Sequence, residues 1–347
     1  MRKISYLLTI LLIGVVFNAC GTKTHYFTPT TYEKIKAKKE KLSIEQTNSN
    51  FAKLSKTKPM QFINKDKKII TIKNYKNFMM LDKYEDKVVL ANEIGDLIIL
   101  QNTGNDNLLY DKNTSNVIYS NKFFSSIILA NLKDDILAAI SADNTLYAIN
   151  IQSGELLFTH KQSSSLGQTS KIANPIILNN IIIYPTLDAK LVFFDLNTKS
   201  IIKNIPVGYE QFFNNILLLT NTNTSLSAVS TSKAICINDN NVANINVSAK
   251  NALTHKNYLY IVTDDARVLK LNQNLQEVAS TKFEFAKIND MIFIDNDLYL
   301  LESNGYMIKI DENLENTKIY KITNYKNKKT YATTSGFYFG KYFIKFD

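Results

Sequence analysis

The sequence predicts an all-β protein built from repeated four-stranded units, and three observations predict it. From Gln61 onward, runs of five to seven β-branched and aromatic residues alternate with Asn, Asp and Gly turns, with an apolar period of two. One phrase recurs, clearest as "DILAAISADNTLYAINIQSGELLFTHK" (Asp135 to Lys161), which reads strand, tight turn, strand, turn with Gly154, strand. The turn centres of its copies fall near Gly95, Asp143, Asp188, Thr224, Asp265 and Gly305, a spacing of roughly 40 residues that marks repeat architectures.

Taken from the N-terminus, residues 1–19 read as a secretory signal peptide. Arg2 and Lys3 make a positive start, and Tyr6 to Phe17 is an apolar stretch interrupted by Thr9 and Gly14. That stretch is too short to span a bilayer, which takes about 20 apolar residues. It ends in Ala19-Cys20-Gly21, which resembles the lipobox of bacterial lipoproteins. The resemblance implies cleavage before Cys20 and acylation of Cys20, palmitate included. Gly21 stands where an Asp would retain such a protein at the inner membrane, so the resemblance further implies the outer membrane.

Residues 20–60 are expected to form the lipidated N-terminus and a Lys-rich tether. Thr30 and Glu33 have the spacing of a capping box, which predicts a short helix, although Ile35 and Leu42 alone supply its apolar face. A tether of this kind would be removable without loss of stability.

Residues 61–347 are expected to form one domain. Copies of the phrase begin at Lys87, Asp135, Ile181, Asn215, Tyr258 and Leu298, and a further apolar strand precedes the phrase, as in "FFSSIILA" and "NDMIFI". Four strands per repeat of about 40 residues is the arithmetic of a propeller blade. The domain length predicts a β-propeller of about seven four-stranded blades, with six to eight as the range. The seventh blade is expected to combine the C-terminal "SGFYFGKYFIKFD" with the N-terminal "KKIITIK" or "NFMMLD".

The phrase, with its G/D-x-L in the first turn and its later Gly, resembles the repeat of the pyrroloquinoline-quinone-like (PQQ-like) propellers over most of residues 86–325. With the lipid-anchor signal, it is similar to the BamB-like lipoproteins of that family. The resemblance implies a non-enzymatic scaffold that docks outer-membrane assembly proteins or unfolded outer-membrane clients from the periplasmic side. The alternative role is a surface lipoprotein acting as an adhesin or ligand-binding propeller.

Composition sorts these classes. The formal net charge is +10, but 61–347 holds 30 basic and 28 acidic residues, whereas 21–60 holds nine Lys and three Glu. The basicity therefore lies beside the proposed anchor, where it suits a lipid surface or a solvated spacer better than nucleic acid. Quinoprotein enzymes of the same repeat type sandwich their cofactor between a Trp and adjacent cysteines. This chain has no Trp, and its two cysteines are Cys20 and Cys236, so no quinone cofactor is expected. Phe158 takes the place of the packing Trp of the repeat. Cys236, inside the alternating run "KAICIND", reads as a small buried hydrophobe.

His25, His160 and His255 lack ligand spacing, and "NTGNDN" and "INDNN" do not follow a calcium loop, so no metal site is expected. No nucleophile–base pair, Walker loop or dinucleotide fingerprint occurs, and no catalytic residue is assigned. One modification motif remains. "DKNTS" places Asp111 two residues before Asn113 and Ser115 two after, the spacing of the bacterial N-glycosylation acceptor, which makes Asn113 a candidate site.

Overall fold

The structure, a computed structural model, describes residues 25–37, the backbone of the strands between 61 and 122, and residues 127–345 apart from 165–170, 209–213, 223, 239–240, 326–329, 334–335 and 340–341. Among these residues there are eight separate sheets and no helix. In chain order, sheet I spans 61–79, II 89–122, III 127–161, IV 176–206, V 216–246, VI 249–282, VII 288–322 and VIII 330–345. Within each sheet the strands pair antiparallel in sequence order. The first strands of neighbouring sheets lie against one another, so first strands line an axis and fourth strands form the rim. Among the described residues the propeller has eight blade sheets, II to VII of four strands and I and VIII of three, at the upper end of the range read from the sequence.

The expected shared blade does not form. "KKIITIK" contributes Lys68–Thr71, which pairs with Gln61–Ile63 and Asn77–Met79 in sheet I. The C-terminal strands Gly336–Phe339 and Tyr342–Lys345 pair with Thr330–Thr333 in sheet VIII. "TYAT" carries no long apolar run, so its sequence does not announce a strand. The turn phasing also needs correction. Asp143, Asp188, Asp265 and Gly305 lie between second and third strands, but Gly95 follows the first strand of its sheet and Thr224 lies between the first and second. Both tight turns of a blade are rich in small and polar residues, and the pattern alone does not tell them apart.

The blades are held face to face. In sheet VI, Leu259 and Ile261 of the second strand enter the layer shared with sheet V, while Tyr260 and Val262 enter the layer shared with sheet VII. Alternation along a strand sends successive side chains to opposite faces, and here both faces are buried. The same arrangement recurs between III and IV, IV and V, and VII and VIII. Phe158 does pack between blades as expected, stacking on Phe194 at 4.1 Å. Cys236 is buried in the layer between V and VI.

A repeated clasp closes the turn between second and third strands. Ser141, Thr186, Ser230 and Thr263 each stand at or just past the end of the second strand. Each hydroxyl accepts the backbone N–H that starts the third strand (Thr145, Lys190, Lys233 and Arg267, at 2.9–3.2 Å) and donates to the carbonyl of that same residue. In three of these turns a left-handed residue follows: Asn144, Ala189 and Ala266, with φ of 64°, 57° and 59°. Its carbonyl accepts the N–H of the residue just past the fourth strand (Gln162, Val207 and Phe283). In sheet VII, Gly305 plays that part at φ 87°, and a Cβ there would lie 2.6 Å from Tyr325. The equivalent left-handed positions in three other blades hold Asn or Ala, so it is the close approach to Tyr325 that requires glycine here.

Thr263→Val should therefore strand the part-buried Arg267 N–H and lower stability by about 1 kcal/mol, the low end of the cost of an unsatisfied donor. Thr263→Ser should recover most of it. Chemical denaturation of both variants measures the difference, and an unchanged Thr263→Val midpoint would discount the clasp.

Candidate functional site

Residues 25–37 do not form a helix or a free tether. They make an extended strap across the rim of sheet VII. Glu33–Ile35 pairs parallel with the fourth strand, Thr317–Ile322, placing Glu33 opposite Tyr320 and Ile35 opposite Ile322. The pairing continues as Thr323 N–H donates to the Ile35 carbonyl at 2.9 Å. Asn324 then clasps Ala37 from both sides, its Oδ1 accepting the Ala37 N–H at 3.0 Å and its Nδ2 donating to the Ala37 carbonyl at 2.8 Å. A short helix with two apolar residues has little to hold it, whereas an open strand edge offers a row of backbone partners. The edge wins.

Each end of the strap plugs a layer between blades. Phe27 is buried with residues of sheets VI and VII, edge-on to Phe283 and Tyr306. Ala37 is buried with residues of VII and VIII, including Phe337 and Ile344. Thirteen residues thus bridge three blades.

The other rims differ. Among the described residues, sheets III to VI end at their fourth strands, with no strap strand added beyond them. Each of those strands carries one exposed aliphatic residue: Leu156, Ile202, Val242 and Val278. An apolar side chain on a strand edge with free backbone groups is a template for another strand. The strap shows on sheet VII how such an edge is capped.

A charged cluster occupies one mouth of the axis. Lys171, in the connection entering sheet IV, reaches Asp290 on the first strand of sheet VII, with Nζ to Oδ1 at 2.7 Å. Asn215 donates to the Lys171 carbonyl at 2.6 Å, and Ala173 donates to Ile216, so this connection is tied to sheet V as well. Burial pulls the ammonium of Lys250 below its ordinary pKa, Lys287 and Lys171 add repulsion, and Asp264 and Glu302 partly oppose them. Glu302 is fully buried where sheets III to VI carry a Ser or Thr clasp. Its carboxyl accepts from Asn304 N–H at 2.7 Å, Asn304 Nδ2 and Ser303 Oγ. Burial raises its pKa above the usual carboxylate value. These groups can pair ions and accept hydrogen bonds. Among the described residues no group of three or more His, Cys, Asp or Glu converges as a metal site.

Cys20 and Asn113, the two sites expected from sequence motifs, both lie outside the described residues. His25 stacks on Phe285 in the strap and His160 lies near Phe158. His255 stacks on Phe293 at 4.0 Å across sheets VI and VII. Its pKa is lowered by burial and by Lys256, against the pull of Glu312. Sequence reasoning misses the strap. Its signal is present in Phe27, Tyr32 and Ile35, three apolar residues surplus to a solvated tether.

Phe27→Ala should cost about 3 kcal/mol, the lower range for a buried aromatic, and should raise amide exchange at Ile35 and Thr323. Unchanged melting on this substitution would mean that the strap contributes nothing to the fold. For Glu302, the native state favours the protonated form, so stability should fall as pH rises from the ordinary carboxylate pKa through the raised one. Glu302→Thr should flatten that slope in melting curves recorded from pH 4 upward; an unaltered slope would assign it to other groups.

Two curated proteins align over much of the chain. The plasminogen-binding proteins PgbB of Helicobacter pylori strains J99 and 26695 are 28% and 27% identical over 231 residues, covering 63% of this chain. The chain spans 43% and 42% of their respective lengths, less than half. Among solved structures, BamB from Moraxella catarrhalis superposes with a TM-score of 0.61 at 12% identity, over 84% of this chain and 96% of that one. The computationally designed Ika8 protein gives 0.58 at 13% identity, over 83% and 88%. Those likenesses establish the propeller fold. Residues 88–315, from the start of sheet II through the third strand of sheet VII, match the family described as outer membrane protein assembly factor BamB, and the chain belongs to that family of PQQ-like repeat propellers.

Proposed function

We propose that this chain is a lipid-anchored, non-enzymatic propeller that docks other proteins during assembly of outer-membrane β-barrels. The single observation that carries the reading is the family match over 88–315. The rim geometry supports a mechanism. The strap already lies on one blade edge as an added parallel strand, and the uncapped fourth strands of sheets III to VI offer the same chemistry to a client. An extended segment of an unfolded barrel protein would pair through backbone hydrogen bonds and lay alternate side chains against Leu156, Ile202, Val242 or Val278. The acyl chains on Cys20 would hold the propeller at the outer membrane, facing the periplasm.

A second reading has its own support. The relatives at 28% and 27% identity are named for binding plasminogen, a role that suits a surface-exposed lipoprotein. One set of experiments separates the two. Cys20→Ser should leave an uncleaved precursor or a soluble protein, read by fractionation and intact mass. A variant that matures and partitions as the parent does would remove the anchor from the account. Affinity purification of the membrane-extracted parent should co-purify barrel-assembly proteins. Recovery of none of them, together with protease access on intact cells and capture of added plasminogen, would replace the first reading with the second.

A further inference from the structure

The strap begins in an exposed aromatic corner. Tyr26 is 60% exposed, Phe285 55% and Tyr32 46%, and they are the exposed large aromatic side chains among the described residues. Ring contacts tie Phe285 and Tyr32 to the strap around Phe27, and Tyr26 precedes Phe27 in the chain. His25 stacks on Phe285 at 4.9 Å, Tyr32 packs edge-on to Tyr306 at 5.8 Å, and Phe27 fills the space beneath against Phe283 and Tyr306. Lys321 lies over the Tyr306 ring at 3.8 Å, and Lys34 and Lys36 are exposed on the strap itself. Phe285 is unusual in a second way. It has a φ of 62°, the left-handed region, which a bulky residue seldom adopts. An aromatic ring held out to solvent at a strained backbone position calls for a reason beyond folding.

We infer that this corner is the face that rests on the phospholipid surface, with Tyr26, Phe285 and Tyr32 at the headgroup level. The inference rests on the proposed lipidation of Cys20. Four residues lie between Cys20 and His25, and a chain extends by at most about 3.6 Å per residue, so the acyl chains would enter the bilayer within roughly 18 Å of His25, which stacks on Phe285. Amphipathic aromatic rings favour the membrane interface, and lysines beside them favour anionic headgroups. One corner at the rim of sheet VII would then touch the membrane. Sheet III, four blades away on the ring, would face away from it and leave its rim open to a partner.

The chain has no Trp, which permits a direct test. Single tryptophans are placed in the full-length, membrane-extracted protein as Tyr26→Trp, Phe285→Trp and, on the opposite rim, Leu156→Trp. Each variant is reconstituted into vesicles of phosphatidylethanolamine and phosphatidylglycerol with or without brominated acyl chains. The inference predicts blue-shifted emission and loss of most of it to bromine quenching for the first two variants, with the Leu156→Trp emission preserved. Unquenched emission from both corner variants, or quenching at the Leu156 position instead, would overturn it. Intact mass at Cys20 reports the acylation separately, so failure of the anchor and failure of the docking face are told apart.

Discussion

Blades III to VII of this propeller depend on burial of both faces of their middle strands. Leu259 and Ile261 serve one neighbour, Tyr260 and Val262 the other, so sheet VI has no complete core of its own. Burying such a side chain is worth about 1.5–3 kcal/mol, and each layer collects many. A sheet without a neighbour would expose one whole apolar face. The constraint also explains the near-continuous apolar runs of the second strands, which read "ILAAIS", "IIIYP" and "LYLLE".

The strap answers the same constraint at the rim. The layers between VI and VII and between VII and VIII each take one plug from it, Phe27 and Ala37, and the strand between them caps the edge of VII. Local pairing and long-range packing are therefore coupled: the parallel strand is short, and the plugs at its ends hold it in place. Removing the strap would open two layers as well as one edge. The proposed anchor lies just upstream, so the element that stabilises these blades would also orient them.

Much of this fold is legible in the amino-acid sequence. The period of two, the turn chemistry and the repeat spacing identify a propeller, and Phe158 and Cys236 sit where their neighbours along the chain place them. The blade count is harder to read because Thr330–Thr333 pairs through its backbone, without an apolar pattern to announce it. The strap is illegible for a related reason. Glu33–Ile35 is a strand because Thr317–Ile322, nearly 300 residues away, presents an open edge; its own sequence carries a helix-start signal instead. Glu302 replaces the hydroxyl of the clasp with a carboxylate that reaches the same turn, so the motif survives in geometry and vanishes as a pattern. Contacts made by rims and channel mouths depend on which turns converge, and a repeat read one copy at a time does not reveal that.

The central claim is that open rim strands receive protein partners in outer-membrane assembly. Photo-crosslinking in living cells tests it most directly, with the reactive residue at Ile202 on the rim of sheet IV and, for comparison, at Glu33 on the strap. The account predicts adducts from Ile202 to barrel-assembly proteins or to unfolded barrel precursors, and far fewer from Glu33, where the strap already caps the edge. Absence of protein adducts from Ile202, or adducts formed only with proteins added outside the cell, would contradict it.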